Sequence, residues 1–211
     1  MSMTGPRLLD LCCCQGGAGM GYHRAGFEVV GVDMVPQPRY PFEFYQDDAL
    51  DFLARHAHEY DAVHISPPCQ AHTLAQRIQG NDHLDLIAPS RDLLRNLEVE
   101  VWVIENVPGA PLHDHVELCG TMFGLETYRH RWFESSVPLV APPHGEHVAR
   151  TTKMGRPARE GEYMHIVGNF SGAERARQIM DMPWASRDGL REAIPPSYTE
   201  YVGAQLLEHL R

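Results

Sequence analysis

Residues 64–73 read HISPPCQAHT. Residues that favour extended backbone run into Pro67 and Pro68, and a single thiol, Cys69, follows. Cysteine is more often a small buried hydrophobe than a reagent. Here, however, two residues of fixed φ stiffen the turn at a strand end and aim the thiol. A thiolate is accessible near neutral pH and strongly nucleophilic, so a cysteine held this way suits covalent catalysis. Further on, Glu105-Asn106-Val107 closes the apolar run VWVIENV and offers a carboxyl for proton transfer. Arg129 and Arg131, in YRHRWFES, are candidate cations for a developing negative charge, or surface ion-pair partners. Near the start, DLCCCQGGAGMGYHRAGF crowds Gly17, Gly19 and Gly21 into a strand-to-helix turn, which packs tightly or binds a nucleotide. Asp33 follows about 16 residues later, roughly where an acid holds a ribose hydroxyl pair.

The first half of the chain supplies elements to hold these groups. Short apolar runs alternate with helix-like segments, the pattern of a parallel sheet covered by helices. RLLDLC, FEVVGVD, FEFYQDD, YDAVHIS and VWVIENV read as five strands. Helical segments are expected through Tyr22 to Ala25, over ALDFLARHA, and from Leu86 to Leu97 with Pro89 in the first turn. HRWFES suggests a further strand, and residues 135–192 are rich in Pro, Gly and charge. After two prolines, an apolar stripe at Tyr198, Val202 and Leu206 marks a terminal helix. In an open parallel sheet, ligands sit outside the carboxyl ends of the strands. Cys14 to Gly17, Asp33, Asp48, Pro67 to Gln70 and Glu105-Asn106 all fall at such ends. Five equipped strand ends point to one shared crevice.

Composition sets the bounds. With 211 residues the chain suits one domain, or one with a small appendage. No apolar run approaches a membrane span, and MSMTGPRLLD lacks a signal-peptide pattern. Five cysteines, three of them adjacent, do not form a disulfide framework, so a reducing cytoplasm is expected. A net charge of −10 gives no global attraction to a polyanion. The local exception is RTTKMGRPAR, with Arg150, Lys153, Arg156 and Arg159 and no acid: a solvated loop on charge alone, or a phosphate-contacting finger. Histidine pairs at 56/58 and 113/115, and Cys69-x-x-His72, fall short of four closely spaced ligands, so no metal is expected. Cys119, Trp184 and Tyr198 read as packing residues.

Taken in order, the motifs resemble those of the DNA cytosine-5 methyltransferases. Asp10 through Phe27 is similar to their opening Asp-Leu-Phe-Ala-Gly-x-Gly-Gly with its later Ala-Gly-Phe. Pro68-Cys69-Gln70 matches their nucleophile motif and Glu105-Asn106-Val107 their acid motif. Arg129-x-Arg131 matches their Arg-x-Arg, and EAIPP, residues 192–196, resembles their closing motif. The compact form is similar to small phage-encoded members.

The resemblance implies a class I S-adenosylmethionine-dependent, Rossmann-like α/β fold: a mostly parallel sheet with helices on both faces and a small irregular insertion. It implies a catalytic domain of residues 1–134 and 193–211 and a reduced target-recognition insertion of residues 135–192, which gives the basic run a functional reading beside the bland one. The reaction implied is methyl transfer from S-adenosylmethionine to carbon 5 of a cytosine flipped out of DNA, through a Cys69 adduct at carbon 6. Glu105 would protonate N3, and Arg131, beside Arg129, would hold O2. The cofactor crevice would comprise Cys12, Cys14, Gln15, Gly16, Gly17, Asp33 on the ribose, Met34 against adenine, Asp48 on the adenine amino group, Ala49, Pro67 and Ala193. Substrate contacts would come from Gln70, Thr73, Asn106, Arg150, Lys153, Arg156 and Arg159.

Three positions depart from the family pattern: Cys12 replaces its Phe, Cys14 its first Gly, and Glu192 its closing Asn. The first two weaken adenine packing and narrow the cofactor site. Left open beside the DNA reading are a free cytosine nucleotide, RNA or a modified cofactor, and a non-catalytic binding protein or decoy.

Overall fold

A computed structural model describes residues 5–68, 85–153 and 155–211. Five strands run parallel: β1 (Arg7–Leu11), β2 (Glu28–Asp33), β3 (Glu43–Gln46), β4 (Ala62–Ile65) and β5 (Trp102–Asn106). Two more, β6 (Val116–Leu118) and β7 (Arg131–Ser135), pair antiparallel with each other, and β7 pairs antiparallel with β5. The sheet order is β3-β2-β1-β4-β5-β7-β6. β4 and β5 are buried at every position and β1 at four of five, as expected of central strands covered on both faces. From β1 the chain winds outward to β2 and β3, then returns to lay β4 on the other side of β1. That reversal is a topological switch point, where open α/β sheets leave a crevice.

Alternation along the strands divides the core into layers. Leu9 and Leu11 of β1, with Val63, Ile65, Trp102 and Ile104, pack against α2 (Ala49–His56) and α3 (Ile87–Asn96). On the opposite face Leu8, Val29, Val103 and Phe133 meet α1 (Gly17–Ala25) and α6 (Pro196–His209), where Tyr22, Tyr198, Val202 and Leu206 are buried. A third cluster joins Met164, Ile166 and Phe170 to α4 (Ala173–Met180) and α5 (Arg187–Glu192). This is an α/β fold with a mostly parallel, mixed seven-stranded sheet. Among the described residues, no helix is long and apolar enough to cross a membrane.

Glycine explains why α1 and α6 approach so closely. A Cβ at Gly21 would lie 2.1 Å from both the Pro196 carbonyl oxygen and Thr199 Oγ1, and one at Gly17 would lie 2.3 Å from the Ile194 oxygen. Thr199 also donates to the Ala18 carbonyl at 2.8 Å. Gly21 thus lets the two helices pack, and Gly17 admits the linker that leads into α6.

The structure differs from the sequence reading in several elements. The third strand ends at Gln46, because Asp48 leaves the extended run to cap α2, accepting from the Leu50 and Asp51 amides. The first helix begins at Gly17, five residues before the expected segment. β6, α4 and α5 were not expected; each is short and lies in a stretch whose prolines, glycines and charges mask any period.

Candidate active site

A cleft of about 380 Å³ opens at the carboxyl ends of the parallel strands, within the size range of small-ligand sites. The turn after β1 forms one wall. Cys12 (φ 56°) and Cys14 (φ 45°) are left-handed there, a region that disfavours a side chain. The β2-end carboxylate holds the turn: Asp33 accepts from the Cys14 amide at 3.0 Å and the Val35 amide at 2.9 Å. Met34 is 68% exposed on the rim, and Asp48 and Ala49 line the cleft from the start of α2. Opposite, the end of α5 brings in Glu192 and Ala193. The Cys14 sulfur lies 4.0 Å from Glu192 Oε2, so two of the departures from the family pattern face each other.

Acids outnumber bases in this half: Asp10, Asp33, Asp48 and Glu192 share the lining with Arg191, which lies 3.7 Å from Glu192. Burial, reinforced by Asp33 and Asp10, pushes the Cys12 thiol up to about 12 and raises Cys13 and Cys14 as well. These thiols stay protonated and make poor nucleophiles. Asp10, wholly buried, is raised from 3.8 to about 7 by desolvation, against the hydrogen bonds from Tyr40 and the Gly19 amide. The excess of carboxylates makes this wall favourable to a ligand that carries positive charge.

The other half belongs to β4 and β5. Glu105, 5% exposed, faces the cleft from the end of β5. Arg131, at the start of β7, places Nε 2.9 Å from Glu105 Oε1. The pairing is close but its N–H misses the line to that oxygen, which keeps no hydrogen bond. Desolvation raises the Glu105 pKa; Arg131, the Ser66 hydrogen bond and Arg129 only partly oppose it. Behind Glu105 runs a buried polar chain. Tyr22 Oη meets His64 Nδ1 at 2.9 Å, His64 Nε2 meets Ser66 Oγ at 2.8 Å, and Ser66 bonds the Glu105 carboxyl. Burial lowers the His64 pKa to about 3, so the ring is neutral. His64 and Ser66 are two residues apart and so share a face of the strand line. Sequence reading missed both, although they immediately precede the prolines. It also missed the inward place of Asp10.

Pro67 and Pro68 line the cleft beside Asn106. The Asn106 side chain donates to the Pro67 carbonyl at 3.0 Å and accepts from the Val107 amide, so it fixes the prolines rather than presenting itself to a substrate. Cys69, Gln70 and Thr73 lie outside the described residues. Cys12, Cys14, Gly17, Asp33, Met34, Asp48, Ala49, Pro67, Glu105, Arg131 and Ala193 all come together around the cleft.

Other expected residues stand elsewhere. Gln15 turns toward α5, bonding Ser186 through both ends of its amide, and Gly16 abuts Tyr40 and Pro41. Arg129 is buried and donates to the carbonyls of Ala193, Ile166 and Arg191, which makes it a clamp on the third core cluster. Arg156 forms a two-pronged ion pair with Glu162 at 2.6 and 2.7 Å. Arg159 borders a separate hollow with Glu126, Glu160, Glu162 and Arg175, while Arg150 and Lys153 are exposed.

No protein-family model and no curated protein matches the chain. Solved structures do. A prophage-encoded Escherichia coli protein described as a DNA modification methyltransferase is 14% identical, with a TM-score of 0.68 over 97% of this chain and 99% of that one. The S. pombe Dnmt2 methyltransferase is 15% identical, TM-score 0.63, over 98% and 99%. The Entamoeba histolytica methyltransferase EhMeth is 12% identical, TM-score 0.63, over 99% and 100%. At these identities the likeness is one of fold, and it spans nearly the full length of these three structures. The chain has the fold of the class I S-adenosylmethionine-dependent methyltransferases.

Proposed function

We propose that the protein transfers a methyl group from S-adenosylmethionine to carbon 5 of cytosine in DNA. The observation that carries the reading is Glu105: a carboxyl whose pKa burial raises, on the cleft, beside an arginine and next to the prolines that lead into Cys69. Asp33, Asp48, Glu192 and the Cys12–Gly17 turn would hold the cofactor, which supplies an electrophilic methyl on a sulfonium.

Cytosine carbon 5 is a poor nucleophile while the ring is aromatic. Addition of the Cys69 thiolate at carbon 6 breaks the aromaticity, the Glu105 carboxyl gives its proton to N3, and carbon 5 becomes enamine-like. Arg131 stabilises charge developing at O2 and the carboxylate left on Glu105. Once carbon 5 is methylated, its proton passes to solvent water and expulsion of the Cys69 thiolate restores the ring, while N3 returns its proton to Glu105. Residues 1–134 and 193–211 form the catalytic part in this reading, and residues 135–192 the part that meets DNA. The base must leave its stack to reach the cleft.

The test is incubation with labelled S-adenosylmethionine and, in parallel, duplex DNA, RNA and dCMP, followed by base analysis. Label on cytosine carbon 5 of DNA is expected, with Glu105→Gln slower by about 10²–10⁴-fold. Folded protein that binds the cofactor but labels none of the three overturns the chemistry. Faster transfer to RNA or dCMP than to DNA overturns the substrate.

A further inference from the structure

Around the β6–β7 pair, four side chains from three separate stretches converge. Cys119 follows β6, His130 precedes β7, and His144 and His147 lie in the irregular segment beyond it. Their ligand atoms all lie within 4.8 Å of one another. Cys119 Sγ is 3.4 Å from His147 Nε2, His147 Nε2 is 3.2 Å from His144 Nε2, and His144 Nε2 is 3.4 Å from His130 Nε2. Hydrogen bonding alone accounts poorly for this. Each Nε2 carries at most one proton, yet His144 Nε2 faces two other ring nitrogens at once, and protonating the rings would crowd like charges.

A tetrahedral zinc ion, with Zn–S near 2.3 Å and Zn–N near 2.0–2.1 Å, requires N···N edges of about 3.3 Å and S···N edges of about 3.6 Å. Three of the six separations, 3.2, 3.4 and 3.4 Å, lie close to those edges, and all six are within 4.8 Å. We infer that Cys119, His130, His144 and His147 bind one Zn²⁺ in a closed, four-ligand structural site. One thiolate with three imidazoles is a donor set suited to zinc and not to Mg²⁺ or Ca²⁺. The surroundings support the ligands. Thr121 Oγ1 lies 3.2 Å from the Cys119 sulfur, the His147 ring stacks on Tyr128 at 3.7 Å, and Tyr128 donates to the Ala149 carbonyl at 2.8 Å.

The site has a structural consequence. His144 and His147 belong to a stretch without helix or strand, which the metal would tie to the β6–β7 hairpin. His130 sits between the two arginines, and Arg131 donates from NH1 to the His130 carbonyl at 2.9 Å. A metal on His130 would therefore steady the strand start that presents Arg131 to Glu105. The spacing hid the set from sequence reading: Cys119 and His147 are 28 residues apart, and only His144 and His147 are close in the chain.

Zinc content of the full-length protein, purified without chelator, is measured by elemental analysis and expected at one ion per chain. Replacement by Co²⁺ should give the intense visible bands of a tetrahedral site and a sulfur-to-cobalt band in the near ultraviolet. The exposed pair His144→Ala with His147→Ala should lose the metal while remaining folded, and Cys119→Ser should lose the sulfur band. Chelation should lower the Tm of the wild type and leave the double variant unmoved. Zinc absent from wild-type protein supplied with it, or retained in full by the folded double variant, overturns the assignment. None of these readouts depends on methyl transfer.

Discussion

Asp10 closes the buried face of β1 with Tyr40 donating to its Oδ2 at 3.2 Å, and desolvation holds its pKa near 7 instead of 3.8. The sign follows from which state binds the proton more tightly. The folded protein keeps Asp10 protonated up to about pH 7, whereas the unfolded chain releases that proton near its ordinary value. Stability is therefore full below about pH 4, falls as pH rises toward 7, and is flat for this group above that. Protonated Asp offers one O–H donor beside a carbonyl oxygen, and neutral Asn offers the same acceptor with two N–H donors, so Asp10→Asn should come close to the wild type in acid. At pH 8 the variant should be the more stable, by an amount on the order of 4 kcal/mol if the whole shift is realised. Parallel denaturant titrations across pH 4–8 check this, and curves that stay parallel would refute it. The neighbouring cysteines carry a related lesson. Cys12 and Cys14 occupy left-handed backbone where the family resemblance expects Phe and Gly, and nothing in their spacing announced that conformation.

Elements with a strong period or a clean boundary could be read directly. β1, β2, β4 and β5 are apolar runs bounded by turn residues, and α6 follows Pro195-Pro196 with its stripe intact. From those strands, the place of Asp33, Pro67 and Glu105 at one set of ends followed, while Asp48 reaches the cleft as the cap of α2. What escaped reading depends on contacts distant in sequence. Arg129 bonds carbonyls 37, 62 and 64 residues away, so its clamp role has no local signature. The same holds for α4 and α5, whose apolar residues make sense only against Met164, Ile166 and Phe170. Gly21 shows how a local rule can mislead. Alanine favours helix over glycine by about 1 kcal/mol, yet its Cβ would sit 2.1 Å from the Pro196 carbonyl across the helix pair. Gly21→Ala should destabilise by about 2 kcal/mol or more, because neither backbone can give way freely. A fall in Tm of roughly 5 °C or more is expected, while an unchanged Tm would mean that α1 and α6 slide apart without penalty.

The whole molecule carries a charge of −10, and the cleft gathers part of it in Asp33, Asp48 and Glu192. That suits a cationic cofactor and opposes a polyanion, so any grip on nucleic acid must be local and weak in its salt dependence. RTTKMGRPAR is where such a grip would lie, but its four cations are not equivalent. Arg156 is already held by Glu162, whose carboxyl is lowered to about 2 by that partner, and Arg159 borders the hollow lined by three glutamates. Arg150 and Lys153 are exposed. In the DNA reading these two make the phosphate contacts, and each releases about one counterion. The slope of log affinity against log salt should be shallow, about −2 to −3, and Arg150→Ala or Lys153→Ala should each reduce its magnitude by about 1. Arg156→Ala should instead leave the slope unchanged and loosen residues 156–162, read as faster amide exchange there. A steep slope that Arg156→Ala flattens would show that the ion pair opens on binding, and would place the contact surface on the pair rather than on its exposed neighbours.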